Sequence, residues 1–460
     1  MLDIFKLNTQ NFCKFAEEVD SNIDFLPKKI DKIEISHKND KKVLEIQSSD
    51  FNNYINNYES GSIIEESDRI TIKLSVSKQP IIFYGVHLNS NVMNFFSSSK
   101  FNYVYSYNYS HYGVPEEEIT YDNKCVEIVA GLNKNSFNVW PSSGIFKSNS
   151  SRSYNVTNGI DSISFNESES GDSYNKNSVF FKIEDVDVCL SLPEKGGSLG
   201  YILFSKFLSS ESRRKIRTCL SYLLGSKINL QGYKVFDSND KTIAVHEYSH
   251  DYTTNKNNFF DVPTKLSEEN FNALINYLYS NFDDLNLSIV LNNYIAASSV
   301  SIDKAPVYYG SAIEALQKSY VENNYEKIST RIIDKNLFKE SIVSALESFK
   351  SLDGISDEDI SLLIGNISSK VNVYPQKFIL RKVFNYLNLE LTEREMSAWQ
   401  SRNDAAHGNS ANEINITELL NNNFILRCML NRMILRITGQ VDTYIDYSTI
   451  RYPEKDLASS

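Results

Sequence analysis

Four side chains that can work on a phosphate stand close together in S-R-N-D-A-A-H-G-N-S, residues 401–410: Arg402, Asn403, Asp404 and His407. Arginine offers a planar fork of donors that matches the oxygens of a phosphodiester or a phosphorane. Histidine titrates where it can take a proton from a ribose 2′-OH or give one to a leaving 5′-oxygen. The pair therefore suits RNA cleavage without a metal. Arg402 would hold the scissile phosphate, His407 would serve as acid or base, and Asn403 would fix the imidazole or the phosphate. Asp404 is a candidate supporting residue. The same spacing also makes an ordinary helix end, because a histidine before a glycine stop complements the helix dipole.

A helix must position these residues. Thr392 and Glu395 form a T-x-x-E capping box, so the spacing predicts a helix from 393, with Gly408 suited to its C-terminal cap. Met396, Trp399, Asn403 and Ala406 share one stripe, and Asn403 and His407 are i, i+4 neighbours. Arg402 lies about 140° round an ideal helix from His407, so its long side chain or fraying before Gly408 must bring the guanidinium to the same site. A stripe that starts with Met and Trp and ends in an amide and an imidazole needs a core polar network, a cleft or a subunit interface at its polar end.

The rest of the chain divides in two. The first half alternates or clusters β-formers in KIDKIEIS, KKVLEIQ, RITIKLSVS, PIIFYGVHL and KCVEIVAGL, cut by Asn, Asp, Ser and Gly. Residues 147–178 are Ser/Asn-rich and read as a long loop or an irregular hairpin. A helix is predicted near 209–224, with Ile216, Leu220 and Leu223 as its apolar stripe and Gly225 as its stop. After about Pro263 helical period dominates. Ser267 caps LSEENFNALINYLYSNF, and APVYYGSAIEALQKSYVE sets Tyr309, Ile313, Leu316 and Tyr320 on one face. Further helical segments begin at LSIVLNN, FKESIV, EDISLL, PQKFIL, TEREMS and ITELLN. The expected fold class is α+β: a β-rich region over 1–262, of one or two subdomains, an all-α domain over 263–440, and a peripheral tail over 441–460.

Composition narrows the function. With 460 residues, 41% hydrophobic and 23% charged, the chain can build more than one core. Net charge is −11, which argues against a general nucleic-acid coat but leaves room for a nuclease with a local positive site. The start, MLDIFKLNTQNFCKF, has no basic-then-apolar pattern, and Cys13, Cys125, Cys189, Cys219 and Cys428 form no C-x-x-C motif. Sparse, odd cysteines fit a reducing compartment, so a cytoplasmic protein without a membrane span is expected.

The form R-N-x-x-x-H-G before a last long helix resembles the R-x4-6-H signature of HEPN domains (higher eukaryotes and prokaryotes nucleotide-binding). S-A-I-E-A-L, residues 311–316, is similar to the first core helix of the ApeA-like HEPN group. The likeness covers roughly 286–440. In the N-terminal half, PIIFYGVHL and RRKIRTCLSYLLGSKINL are similar to the β-rich domain that precedes HEPN in ApeA-type proteins, while much of 89–190 matches nothing there. The resemblance implies a metal-independent endoribonuclease without a cofactor, working as a dimer or an assembly of dimers with two motifs meeting at the interface. It implies antiphage defence by abortive infection, with transfer RNA as an expected substrate and a phage component as trigger at the N-terminal region. Carried over, His407 is the acid/base, Arg402 binds the scissile phosphate, and Asn403 is the polar residue favoured after the arginine. Some HEPN members are non-catalytic nucleotide- or partner-binding modules, and that is the alternative reading.

Glu314 admits two readings: a carboxylate that orients His407 or Arg402, or a solvated flank beside the Ile313/Leu316 stripe. Arg427, Arg432 and Arg436 in the last helix either hold RNA phosphates or form a solvated face. H-E-Y-S-H, residues 246–250, matches the zinc-protease pattern H-E-x-x-H, but its flank KTIAVHEYSHDYTTN alternates like a strand and no third ligand is marked. A zinc metalloprotease is therefore a remote alternative, and no metal is expected. K-G-G-S-L-G, residues 195–200, lacks the G-K-[ST] ending of a phosphate loop, so no NTPase is expected.

Overall fold

Alternating apolar side chains put Ile33 opposite Ile46 and Ile35 opposite Leu44 in an antiparallel pair, with Ile33, Leu44 and Ile46 buried. The computed structural model describes residues 16–21, 26–27, 30–38, 41–49, 68–74, 80–95, 101–108, 111–113, 119–132, 153–157, 162–166, 178–191, 199–240, 242–248, 266–346, 356–406 and 416–457. Its strands are β1 (Ala16–Ser21), β2 (Lys32–Lys38), β3 (Lys41–Ser48), β4 (Arg69–Leu74), β5 (Ile81–Tyr84), β6 (His87–Phe95), β7 (Phe101–Asn108), β8 (His111–Gly113) and β9 (Lys124–Ala130). Then follow β10 (Ser153–Thr157), β11 (Ser162–Asn166), β12 (Ser178–Ile183), β13 (Val186–Ser191), β14 (Leu199–Phe204), β15 (Asn229–Phe236) and β16 (Thr242–Tyr248).

Ten strands form one sheet in the order β1-β4-β5-β8-β16-β15-β9-β14-β13-β12, and β2-β3-β7-β6 form another. β10 and β11 pair alone as an antiparallel hairpin inside the Ser/Asn-rich stretch. Strand β9 is central and buried from Cys125 to Ala130. Its Glu127 is fully buried, which demands compensation. Arg217 pairs with it, and Arg213 lies 3.6 Å from it while its guanidinium faces the Tyr233 ring at 4.2 Å. Both arginines come from α1 (Ser210–Leu223), where Ile216, Leu220 and Leu223 are buried as the stripe predicts and Gly225 follows with φ 59°.

The chain divides into two compact units, Met1–Arg217 with Ser226–Asn258, and Thr218–Gly225 with Phe259–Ser460. The second is helical: α2 (Glu268–Ser280), α3 (Leu287–Ala297), α4 (Ala305–Asn323), α5 (Lys335–Leu346), α6 (Asp357–Lys370), α7 (Gln376–Tyr386), α8 (Glu393–Ala406) and α9 (Ile416–Thr438). Ser267 Oγ accepts from Asn270 N at 3.0 Å and starts α2 as expected. Helices α4, α8 and α9 pack against one another. Leu426, Met429, Leu430, Met433 and Leu435 of α9 are completely buried, so this helix is the unit's axis. No helix among the described residues is long and apolar enough to cross a membrane.

The segment after Gly439 corrects one expectation. It is not peripheral over 441–457. Strands β17 (Thr443–Ile445) and β18 (Glu454–Asp456) pair, and Tyr444, Ile445 and Leu457 are buried. Asp446 is buried too. Burial works against its charge, but bonds from Lys455 and Ser448 outweigh it and hold the carboxyl below its usual range.

Candidate functional site

Helix α8 starts where its capping box places it. Glu395 N donates to Thr392 Oγ1 at 3.2 Å, and Thr392 N donates back to Glu395 Oε2 at 2.8 Å. The other carboxylate oxygen, Glu395 Oε1, accepts from Arg432 Nη1 at 2.5 Å, and Arg432 Nη2 donates to Glu390 O at 2.8 Å. One buried carboxylate thus caps the motif helix and ties it to α9. Met396, Ala398 and Trp399 then turn into the core.

Arg402 comes one turn after Trp399 and is held on three sides. Its guanidinium carbon lies 3.6 Å from the centre of the Trp399 ring, in cation–π contact. Nη1 donates to Trp399 O at 2.7 Å, and Nη2 donates to Glu314 Oε1 from α4. The arginine side chain is 10% exposed and that of Glu314 43%, so the pair opens to solvent on the carboxylate side. Glu314 is thus paired with Arg402 while almost half of its side chain stays in water.

The notch that admits the arginine is Gly310, one turn before Glu314 on α4. A Cβ there would lie 2.1 Å from Arg402 Cδ and 3.1 Å from its Cγ. Gly310→Ala should therefore displace the pinned side chain, destabilising the helical unit by about 1–3 kcal/mol and weakening whatever Arg402 does. A thermal melt with a cleavage assay checks this; unchanged stability and activity would show that the notch is not needed. Sequence reading missed this glycine. Its signal was present: a glycine inside a strongly periodic helix costs about 1 kcal/mol against alanine and implies a close approach.

Asn403 and Asp404 belong to the last turn of α8, but their side chains, and all of His407 and Gly408, lie outside the described residues. Around the motif helix, Trp399 Nε1 is buried without a hydrogen-bond partner among the described residues. Asn422 Nδ2 reaches Ser401 Oγ at 3.5 Å.

Two of the last-helix arginines need correction. Arg427 and Arg432 are only 4% and 3% exposed, so neither lies on a surface open to RNA phosphates or forms a solvated face. Arg427 sits 4.4 Å from the Tyr447 ring, and Arg432 carries the Glu395 pair. Arg436, half-buried, donates from Nε to Leu387 O at 2.8 Å. Arg427 and Arg432 brace the helical unit from inside, whereas half-buried Arg436 keeps part of its side chain in water.

H-E-Y-S-H begins on strand β16, as its alternation predicts. His246 stacks on Tyr233 with ring centres 4.7 Å apart, and Glu247 pairs in register with Gly232. Successive strand residues face opposite ways, so His246 and Glu247 do not share the helical face that a zinc protease uses. His250 and residues 195–198 of K-G-G-S-L-G lie outside the described residues. No protein-family model, curated protein or solved structure matches the chain.

Proposed function

We propose that this protein is a metal-independent endoribonuclease of the HEPN type, with Arg402, Asn403 and His407 as its working residues. The observation that carries the reading is the handling of Arg402. A guanidinium is stacked on Trp399 and seated against Gly310, on the helix that runs to the residue before His407. Glu314 occupies the outward side of its fork. A phosphodiester oxygen can take the place of Glu314 Oε1 at Nη2, leaving Glu314 in water.

The reaction balances without a further reagent. A base removes the 2′-OH proton, the 2′-oxygen attacks phosphorus, and Arg402 stabilises the phosphorane. The bond to the 5′-oxygen breaks, and an acid protonates that oxygen. The products are a 2′,3′-cyclic phosphate and a 5′-hydroxyl. One motif brings one histidine, whereas the reaction needs a base on one side and an acid on the other. We infer a homodimer, or an assembly of dimers, whose two-fold axis sets two copies of Arg402 and His407 round one phosphate. In the cell the reading places the protein in the cytoplasm, in antiphage defence by abortive infection. Residues 1–262 would restrain it or aim it at one RNA, such as a transfer RNA, until a phage component binds.

A second reading has its own support. Arg402 is already satisfied inside the fold, as a purely structural arginine would be. That favours a non-catalytic HEPN module that binds a nucleotide or a partner.

The deciding experiment sequences RNA ends from cells expressing wild type or His407→Ala, then repeats cleavage with purified full-length chains. Cyclic-phosphate ends in wild type only, undiminished by EDTA, are expected. Adding His407→Ala chains to wild type should lower activity more than dilution does. Full activity of His407→Ala would remove the site, strong EDTA inhibition reversed by metal would remove the mechanism, and inhibition no greater than dilution would remove the dimer.

A further inference from the structure

Next to the Glu314–Arg402 pair, the helical unit holds a cleft of about 790 Å³ between α4, residues 325–335 and the start of α7. That volume lies within the range of small-ligand sites. Glu314 lines the cleft and also holds Arg402, so an occupant would sit beside whatever the arginine binds.

Gln317 gives the cleft its chemistry. It is 2% exposed, and its Nε2 donates to Gln376 Oε1 at 2.9 Å. Its Oε1 is buried and has no hydrogen-bond partner among the described residues, although it belongs to a residue lining the cleft. A buried acceptor left empty costs free energy and marks where a donor belongs. At the rim, Tyr325 is 71% exposed, a large ring with a free face. Lys318 and Lys335 line the same cleft. The nearby carboxylate of Asp334 is committed to the backbone N–H groups of Asn336 and Leu337.

We propose that this cleft receives one unpaired nucleobase of an RNA strand, next to the phosphate at Arg402. Every base carries an N–H group on its pairing edge that can fill Gln317 Oε1, and that group is free only when the base is unpaired. Every base has a face for Tyr325 to stack on. The placement beside a scissile phosphate rests on the ribonuclease reading. It adds to that reading a base-binding subsite built outside the motif helix.

The test uses full-length His407→Ala chains, so that RNA stays intact. It measures binding of a labelled single-stranded oligoribonucleotide, the same strand with abasic sugars, and the same sequence as a duplex. The intact single strand should bind about tenfold tighter than the abasic strand. Gln317→Leu and Tyr325→Ala should each remove most of that preference. Tyr325 is at the surface, so its variant decides the matter if Gln317→Leu fails to fold. No preference for bases, a duplex bound as well as the single strand, or a preference that survives Tyr325→Ala would overturn the proposal. Cleavage is scored separately on chains that retain His407. Base preference without cleavage would defeat the ribonuclease reading and keep the base site. Cleavage without base preference would do the reverse.

Discussion

Arg402→Ala should lower RNA cleavage by roughly a thousandfold or more while costing the fold about 2–3 kcal/mol. A charge-stabilising donor aimed at a developing oxyanion is worth about 10²–10³ in rate, and an arginine on a phosphoryl transition state about 10³–10⁵. The structural loss is smaller. Glu314 keeps 43% of its side chain in water, so its release leaves no buried charge. A partly exposed pair of this kind contributes about 1 kcal/mol or less. The stack on Trp399, with both side chains largely out of water, adds about 2 kcal/mol. Arg402→Lys sharpens the result, because it keeps the charge but loses the planar fork and the stacking. Its activity should stay close to that of the alanine variant. Glu314→Gln should do the opposite: it removes the charge that competes with phosphate for the fork and should preserve cleavage. Rates measured beside thermal melts separate these expectations. If Arg402→Ala melted far below wild type while the surviving folded protein cut RNA normally, Arg402 would be a brace and the second reading would hold.

How much of this was legible depends on the distance over which each feature is encoded. Helix starts are local signals, and Ser267 and the Thr392–Glu395 box stand where the sequence puts them. The alternation that made H-E-Y-S-H a strand is likewise local. The Glu314–Arg402 pair joins residues 88 apart, so its two halves could be named singly but their contact could not be read. Arg427 and Arg432 of α9 were misread for a different reason. Charged residues on a helix usually face water, but ILRCMLNRMILRI is apolar on every side, the pattern of a helix buried all round. In such a helix an arginine must find its partner inside, as Arg432 does with Glu395. The segment 441–457 has few apolar residues, yet Tyr444, Ile445 and Leu457 are among them and all go inward. A count of apolar residues cannot show that, because burial there is set by contact with α9.

The Glu395–Arg432 pair should yield the largest loss of stability in the helical unit. Its side chains are 11% and 4% exposed, so removing one partner leaves a charge with little water to receive it. Breaking a buried pair in this way costs about 3–5 kcal/mol. Glu395→Ala also deletes the acceptor that answers Thr392 N, and a lost helix cap costs about 1 kcal/mol more. Glu395→Gln should fall between, because glutamine can complete a capping box but cannot neutralise Arg432. Pairing Glu395→Gln with Arg432→Met should recover part of the loss, since an apolar replacement removes the stranded charge. Chemical denaturation of wild type, Glu395→Ala, Glu395→Gln, Arg432→Met and the double variant gives the energies, and amide exchange over 393–406 shows where they are felt. The helix start should exchange faster in Glu395→Ala, and the loosening should reach Arg402, which hangs from the same helix two turns on. If Glu395→Ala cost less than about 1 kcal/mol, or if the double variant were no better than Arg432→Met alone, the pair would not be what fastens the motif helix to α9.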